Sequence, residues 1–311
     1  MLTRPLTRWQ WRHLLPTILS LCMCTGAWAE PLKVCVSEDS PPQSNVLKGK
    51  ATGFDIRLAQ AVADAAGREL KIVPFETEYE KESTLSQEVN ALLSSGLCDL
   101  VSGFPLLTTD LGPATRPNAR VPDHPGAKRK RDRPFVALGE LVASAPYQTN
   151  TFGVVQSPQQ PPVNTLMDLK DRRPGAVTGT LAGTLISVYR QGVLRKQMVT
   201  LSQRENAWTA LESGRVDSLL MPTAAYDAYK LLHADTPLAL AAMRRPIGLN
   251  LGFVTLASTP LGLLDITNQV IAQSMADGRM QQWALQEGLS WSPPTTPAIS
   301  NGPSLQSLMT D

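Results

Sequence analysis

FDIRLAQAVADAAGRELKIVPFETEYEKESTLSQEVNALLSSGLCDLVS, residues 54–102, carries the pattern that sets the fold class. From Phe54 to Ala66, the residues Ile56, Ala59, Val62, Ala63 and Ala66 recur at helical spacing along one face, and Gly67 is suited to a C-cap. Leu70 to Val73 is a short apolar run of strand character. From about Thr84 to Ser94, Leu85, Val89, Leu92 and Leu93 form a second helical face, which Gly96 ends before a strand at Cys98 to Ser102. With Leu32 to Val36 as a strand upstream, the order is strand, helix, strand, helix, strand. That alternation predicts an α/β fold, a parallel sheet wrapped by helices through right-handed crossovers.

The rhythm returns downstream. Ala176 to Thr178 leads through a glycine-rich turn into a helix around Leu185 to Tyr189. Strands are expected at Met198 to Leu201, Val216 to Met221 and Leu238 to Ala242, with helices at Ala207 to Ser213 and Ala224 to Leu232 between them. Leu251 to Leu256 reads as a further strand, and Leu263 to Leu285 as largely helical with a break at Asp277-Gly278. These last elements fit best as a return to the first α/β unit.

The N-terminus has the layout of a secretory leader. Arg4, Arg8 and Arg12 precede an apolar stretch from Leu14 to Cys24, and Ala27-Trp28-Ala29 offers small residues at both positions a signal peptidase reads, so cleavage is expected before Glu30. The apolar run is far shorter than the ~20 residues of a spanning helix. Leu21 before Cys22 and Met23 before Cys24 argue against lipid attachment, which needs a small residue there. Residues 1–29 hold three arginines and no acid. Of the 29 basic and 27 acidic residues in the chain, 26 and 27 would remain after cleavage. Two cysteines would remain as well, Cys35 and Cys98. They are either an even pair in a disulfide-permissive compartment or two buried thiols.

Gly53-Phe54-Asp55 before an alanine-rich helix, Leu92 to Gly96 before Cys98-Asp99, Pro146-Tyr147, Asp168-Leu169-Lys170 before Gly179-Thr180, Gly214-Arg215-Val216-Asp217 and Ala276-Asp277-Gly278 occur in one order. Together they resemble the family 3 periplasmic solute-binding proteins of ABC transporters. The resemblance implies a periplasmic-binding-protein-like fold of two α/β lobes joined by two crossover strands, with a ligand cleft at the C-terminal ends of the strands. It implies lobe 1 over 30–150, lobe 2 over 151–247, a return to lobe 1 over 248–291, and a flexible tail over 292–311. In that topology Cys35 and Cys98 lie on neighbouring strands, close enough for a disulfide. Val34-Cys35, Ser44-Asn45, Gly53-Phe54, Cys98-Asp99 and Gly103-Phe104-Pro105 further resemble the branch that accompanies pyrroloquinoline-quinone-dependent alcohol dehydrogenases.

Departures from the family pattern bear on the ligand. Family members that bind amino acids place an Arg three residues after a Thr, but Thr108 is followed by Leu111 and Thr109 by Gly112, and Arg116 is displaced. The Asp expected five residues after Asp217 is Pro222, and an expected aromatic is Gln43. Both ionic clamps of an amino acid are missing. The remaining ligand candidates are Glu38, Asp39 and Ser40 after the first strand, Phe104 and Thr108 after the third, and Thr180, Gly183 and Thr184 at a helix N-terminus. Equally, Ser40 and Thr184 serve as turn and capping residues, and Glu38 and Asp39 as a solvated loop.

Residues 112–133 form a Pro- and Arg-rich insertion expected to be a surface loop. Its Lys128, Arg129, Lys130, Arg131 and Arg133 suit docking to an acidic protein partner or an anionic surface, and equally a disordered, solvated loop. Nucleic acid is not expected, since no aromatic residues interleave the basic run. His124 and His233 are the only histidines after residue 29, so no His-based triad or metal set is evident.

The expectation is a periplasmic monomer that closes on a small polar ligand other than a standard amino acid. No enzymatic activity, cofactor or metal is expected, and no stable insertion into the membrane. An ABC permease or a periplasmic quinoprotein dehydrogenase is the expected protein partner. The alternatives are a docking accessory of such a dehydrogenase, and an enzyme working through Glu38 and Asp39.

Overall fold

The computed structural model describes Met1 and residues 30–78, 83–133 and 135–310, so the expected leader and its cleavage site lie outside the described residues. Among the described residues, no helix is long and apolar enough to cross a membrane.

The first half is built from β1 (Leu32–Ser37), α1 (Phe54–Ala65), β2 (Leu70–Phe75), α2 (Leu85–Ser94) and β3 (Leu100–Pro105). Both β2 and β3 pair in parallel with the central β1, as the alternation predicts. Two-residue periodicity along β1 divides its side chains between two faces. Leu32, Val34 and Val36 meet Leu58 and Val62 of α1, whereas Cys35 faces Val89, Leu92 and Leu93 of α2. Each such fully buried aliphatic side chain stabilises the fold by about 1.5–3 kcal/mol. A capping box between Thr84 and Gln87 starts α2. Gly53, before α1, has φ +121, and a Cβ there would stand 2.6 Å from the Gln43 carbonyl oxygen. That close approach is the physical content of the Gly-Phe-Asp motif.

After β4 (Glu140–Ala143), the strand β5 (Gln148–Gln156) leads to β6 (Pro174–Val177), α3 (Leu181–Gly192), β7 (Val199–Leu201), α4 (Ala207–Glu212), β8 (Ser218–Pro222) and α5 (Thr223–Leu232). Here β6 is flanked in parallel by β7 and β8, giving a second α/β unit. The chain then returns through β9 (Ala239–Leu256) to α6 (Leu261–Ala276) and α7 (Arg279–Glu287), with left-handed Gly278 at the expected break, and ends at α8 (Leu305–Met309). The strand order is β7-β6-β8-β5-β9-β3-β1-β2.

The sequence divides β9 into two strands, but the structure runs it unbroken for 18 residues. Its first part pairs with β5 and its last part with β3 and β4, so β5 and β9 together carry the chain between the lobes. Pro246 and Gly248 suggested a break. They are accommodated where the β5–β9 register shifts between Thr149 and Thr151, an irregularity that tolerates a residue without an N–H.

The insertion is organised rather than a plain loop. Gly112–Pro113 pairs with β4, Asn118–Arg120 pairs with Phe135–Ala137, and Ala119 and Val121 are buried in the core beside α2. Residues 292–310, expected as part of a flexible tail, lie against the crossover strands and α3.

Candidate functional site: the cleft between the lobes

In the strand order, β1 and β3 of lobe 1 and β6 and β8 of lobe 2 lie on either side of the crossover strands β5 and β9, and the periplasmic-binding-protein-like fold places its cleft between the two units. Glu38, Asp39 and Ser40 follow β1 and are solvent-exposed. Asp39 and Ser40 pair with Asn45 and Ser44 in a small antiparallel ribbon, and the Ser40 hydroxyl hydrogen-bonds Ser37 Oγ at 2.9 Å. Ser40 is therefore committed to the turn, whereas both carboxylates face water.

Phe104 is only 2% exposed and packs into the α2 side of the core. It is buried with Val101 and Leu106, because the positive-φ Gly103 and the register shift opposite it on β9 break the simple alternation between Val101 and Phe104. Thr108 is exposed at the rim beyond β3. Its N–H donates to the Ser300 carbonyl at 2.9 Å and its hydroxyl donates to Asn301 Oδ1, so its polar groups are engaged by the C-terminal segment although the residue stays exposed.

In lobe 2, Thr180 is the N-cap of α3. Its hydroxyl donates to the Val177 carbonyl and accepts from the Gly183 N–H at 3.2 Å, while Thr184 Oγ1 donates to the Thr180 carbonyl. These groups satisfy one another. Gly183 is needed for packing, because a Cβ there would stand 2.9 Å from the Val177 carbonyl oxygen. One N–H group of the helix N-terminus expected to receive an anion, that of Gly183, is thus capped from within.

Below the cleft floor lies a buried polar network that the sequence reading did not assign to the site. Asp55, 1% exposed, accepts hydrogen bonds from Gln43 Nε2 and from the Tyr147 hydroxyl at 3.0 Å. Tyr147 in turn accepts the Gly103 N–H at 2.7 Å, and Gln148 Nε2 donates to Gln43 Oε1 at 2.9 Å. Burial pushes the Asp55 carboxyl up to about 6 against the opposing pull of its hydrogen bonds. Burial, with the Asp55 charge beside it, also raises the Tyr147 hydroxyl well above its ordinary value. The network ties the start of α1, the end of β3 and the start of β5 together. Gly53-Phe54-Asp55 and Pro146-Tyr147 were its visible signals, and Gln43, a departure from the family pattern, is its polar partner.

The basic run divides in two. Lys128, Arg129 and Arg131 are exposed. Arg133, at 8% exposed, is buried: it donates to the Val121 carbonyl at 2.9 Å and pairs with Glu78, which Lys130 also contacts at 2.9 Å. Burial disfavours the charged Glu78, but the two cations outweigh it and hold its carboxyl below the usual range. Arg133 therefore belongs to the fold of the insertion and not to a docking face. Arg133→Ala is expected to lower the unfolding free energy by about 2 kcal/mol, since Glu78 keeps Lys130. Serine at Lys128, Arg129 and Arg131 together should change it by less than about 0.5 kcal/mol per site. Urea unfolding of both variants checks this.

Two α/β units joined by two antiparallel crossover strands define the periplasmic-binding-protein-like class of fold. Solved structures agree. The chain is similar to the second substrate-binding domain of Lactococcus lactis GlnP in its open conformation, with TM-score 0.59 and 15% identity over 82% of this chain and 94% of that one. It is similar to the second substrate-binding domain of a putative amino acid ABC transporter from Streptococcus pneumoniae, with TM-score 0.59 and 16% identity over 83% and 100% of the two chains. It is also similar to the unliganded, open L-cystine solute receptor of Neisseria gonorrhoeae, with TM-score 0.55 and 16% identity over 83% and 92%. No family model and no curated protein matches the chain.

Proposed function

We propose that this protein is an exported, periplasmic solute-binding protein that binds a small polar ligand between its lobes without transforming it. The carrying observation is the pair of crossover strands, β5 and β9, which join two α/β units around one cleft. Such a hinge lets two lobes close on a ligand. Export is supported by the leader-like N-terminus and by the Cys35–Cys98 disulfide.

The ligand chemistry follows from the rim. Glu38 and Asp39 are exposed carboxylates at the end of β1, and Pro222 ends β8 where an amino-acid-binding relative of the resembled family would carry an acid. With no arginine in the corresponding place, a cationic or hydroxyl-rich solute fits better than a free amino acid.

Thermal shift measurements test this. Standard amino acids at millimolar concentration should leave the melting temperature unchanged, whereas a ligand at 100 times its Kd would add about 2.7 kcal/mol. A polyol or organic cation that raises it should lose that effect in the Glu38→Gln, Asp39→Asn double variant. A clear shift with a standard amino acid would overturn the ligand assignment.

A second reading, docking to a periplasmic quinoprotein dehydrogenase, is favoured by one observation. Lys128, Arg129 and Arg131 stand exposed at a short helical turn of the insertion. Replacing these three with serine should slow association with an acidic partner, most strongly at low salt.

A further inference from the structure

We propose that residues 290–309 are a strap that laces the two lobes together and covers the lobe-1 rim of the cleft, so that opening of the cleft is coupled to undocking of α8. The proposal rests on the solute-binding reading of the cleft and assigns the regulation of that site.

The strap alternates between the lobes. Leaving α7, Ser290 donates from both its N–H and its hydroxyl to the Asp227 carboxylate of α5, at 2.7 Å each, which ties the chain to lobe 2. Next it crosses the hinge. Trp291 Nε1 donates to the Tyr147 carbonyl at 3.0 Å, and the Thr149 N–H donates to the Ser292 carbonyl at 3.1 Å.

Asn250, 1% exposed on β9, then grips the main chain of the strap from one position. Its Oδ1 accepts the Thr295 N–H at 2.9 Å, and its Nδ2 lies 2.7, 3.1 and 3.0 Å from the carbonyl oxygens of Thr295, Pro297 and Ala298. Those are backbone contacts, so they position the chain regardless of its side chains.

At Ser300 the strap pairs with the lobe-1 rim. The Ser300 N–H donates to the Leu106 carbonyl at 3.1 Å and the Thr108 N–H donates back to the Ser300 carbonyl, forming a parallel bridge at the end of β3. Ser300 Oγ adds a bond to the Gly248 carbonyl of β9 at 2.7 Å. The rim groups left unpaired where β3 stops are therefore occupied by the protein itself.

Finally α8 docks on α3 of lobe 2. Leu308, 5% exposed, enters the core with Leu185, Ile186 and Tyr189, and Arg245 donates to the Ser307 carbonyl at 2.8 Å. A five-residue helix cannot persist alone, so its folding and its docking are one event, held by buried Leu308 and by the Arg245 hydrogen bonds to the Ser307 and Thr310 carbonyls. The adjoining Pro293, Pro294, Pro297 and Pro303 stiffen the strap, which transmits tension between its anchors rather than absorbing it. Release begins at the α8 end, which is folded only while it is docked.

Hydrogen exchange and small-angle scattering on the full chain test the strap. In the wild type, the Thr108 and Ser300 amides should be protected. In Leu308→Asp, both should exchange at least about tenfold faster while β1 amides keep their protection, and the radius of gyration should rise as the lobes separate. Leu308→Met should behave as wild type. Unprotected Thr108 and Ser300 amides in the wild type would overturn the strap, and this measurement needs no variant to fold. So would a Leu308→Asp chain with unchanged exchange and size. The ligand screen is independent of both: its failure would overturn the solute-binding reading and leave the exchange result standing.

Discussion

Periplasmically expressed protein is expected to contain no reactive thiol until it is reduced, and reduction should lower its unfolding free energy by about 4 kcal/mol. Cys35 and Cys98 are bonded across 63 residues of chain, with Cα atoms 5.6 Å apart. Closing a loop of that length removes denatured-state entropy worth about 4 kcal/mol at 25 °C. Both cysteines are nearly inaccessible, at 0% and 4% exposed, so the bond is buried beside Val89 and Leu92 and should resist reductants until the protein unfolds. Thiol labelling in denaturant, with and without prior reduction, counts the thiols. Urea unfolding of a Cys35→Ala, Cys98→Ala variant gives the energy. Two labelled thiols without reduction would sink the disulfide. A double variant as stable as wild type would sink the entropic account.

Stability should also fall as pH rises through 6. The Asp55 carboxyl is raised from 3.8 to about 6 in the folded protein, mainly by burial. A raised carboxyl binds its proton more tightly in the folded state, so its contribution is fully present below 3.8 and is lost as pH passes through about 6. The difference amounts to about 3 kcal/mol between pH 3.5 and 7.5. Glu88 and Asp227 are raised as well and act in the same direction, while Glu78 and Asp217 are lowered and oppose it. The comparison that isolates Asp55 is therefore with Asp55→Asn, whose unfolding free energy should depend less on pH by about that amount. Urea midpoints at several pH values, with a constant m-value, supply the measurement. Parallel profiles for the two proteins would show that Asp55 ionises normally.

The two large effects differ in how visible they were. The disulfide could be anticipated from the strand order that the family resemblance implies, although Cys98 stands two residues before β3 rather than on it as expected, and reaches Cys35 of β1 from the turn that leads into β3. Asp55 was visible only as part of a short motif. Its environment depends on Tyr147 and Gln148, which are about ninety residues away in the chain, and on Gln43, whose amide turns inward rather than toward the cleft. Thr180 and Gly183 were correctly placed at a helix start, but sequence alone could not tell a self-satisfied cap from an open anion site. The difference is which acceptor the Thr180 hydroxyl finds and how closely α3 approaches Val177. Arg133 looked like its basic neighbours because charge is local information, whereas burial against Val121 and Glu78 is not.

By itself the sequence determined the α/β class, the order of strands and helices in both units, and the helix ends at Gly67, Gly96 and Gly278. All of these follow from short-range periodicity and turn chemistry, which act within a few residues. The tertiary structure alone decided that β9 is one strand through Pro246 and Gly248, that the insertion folds onto α2, that Asp55 is enclosed by a polar network, and that the C-terminal segment pairs with the residues after β3. Each of these depends on which distant segments compete for the same backbone hydrogen bonds. Asn250 holding Thr295, Pro297 and Ala298 is such a contact, and no local pattern in either segment encodes it.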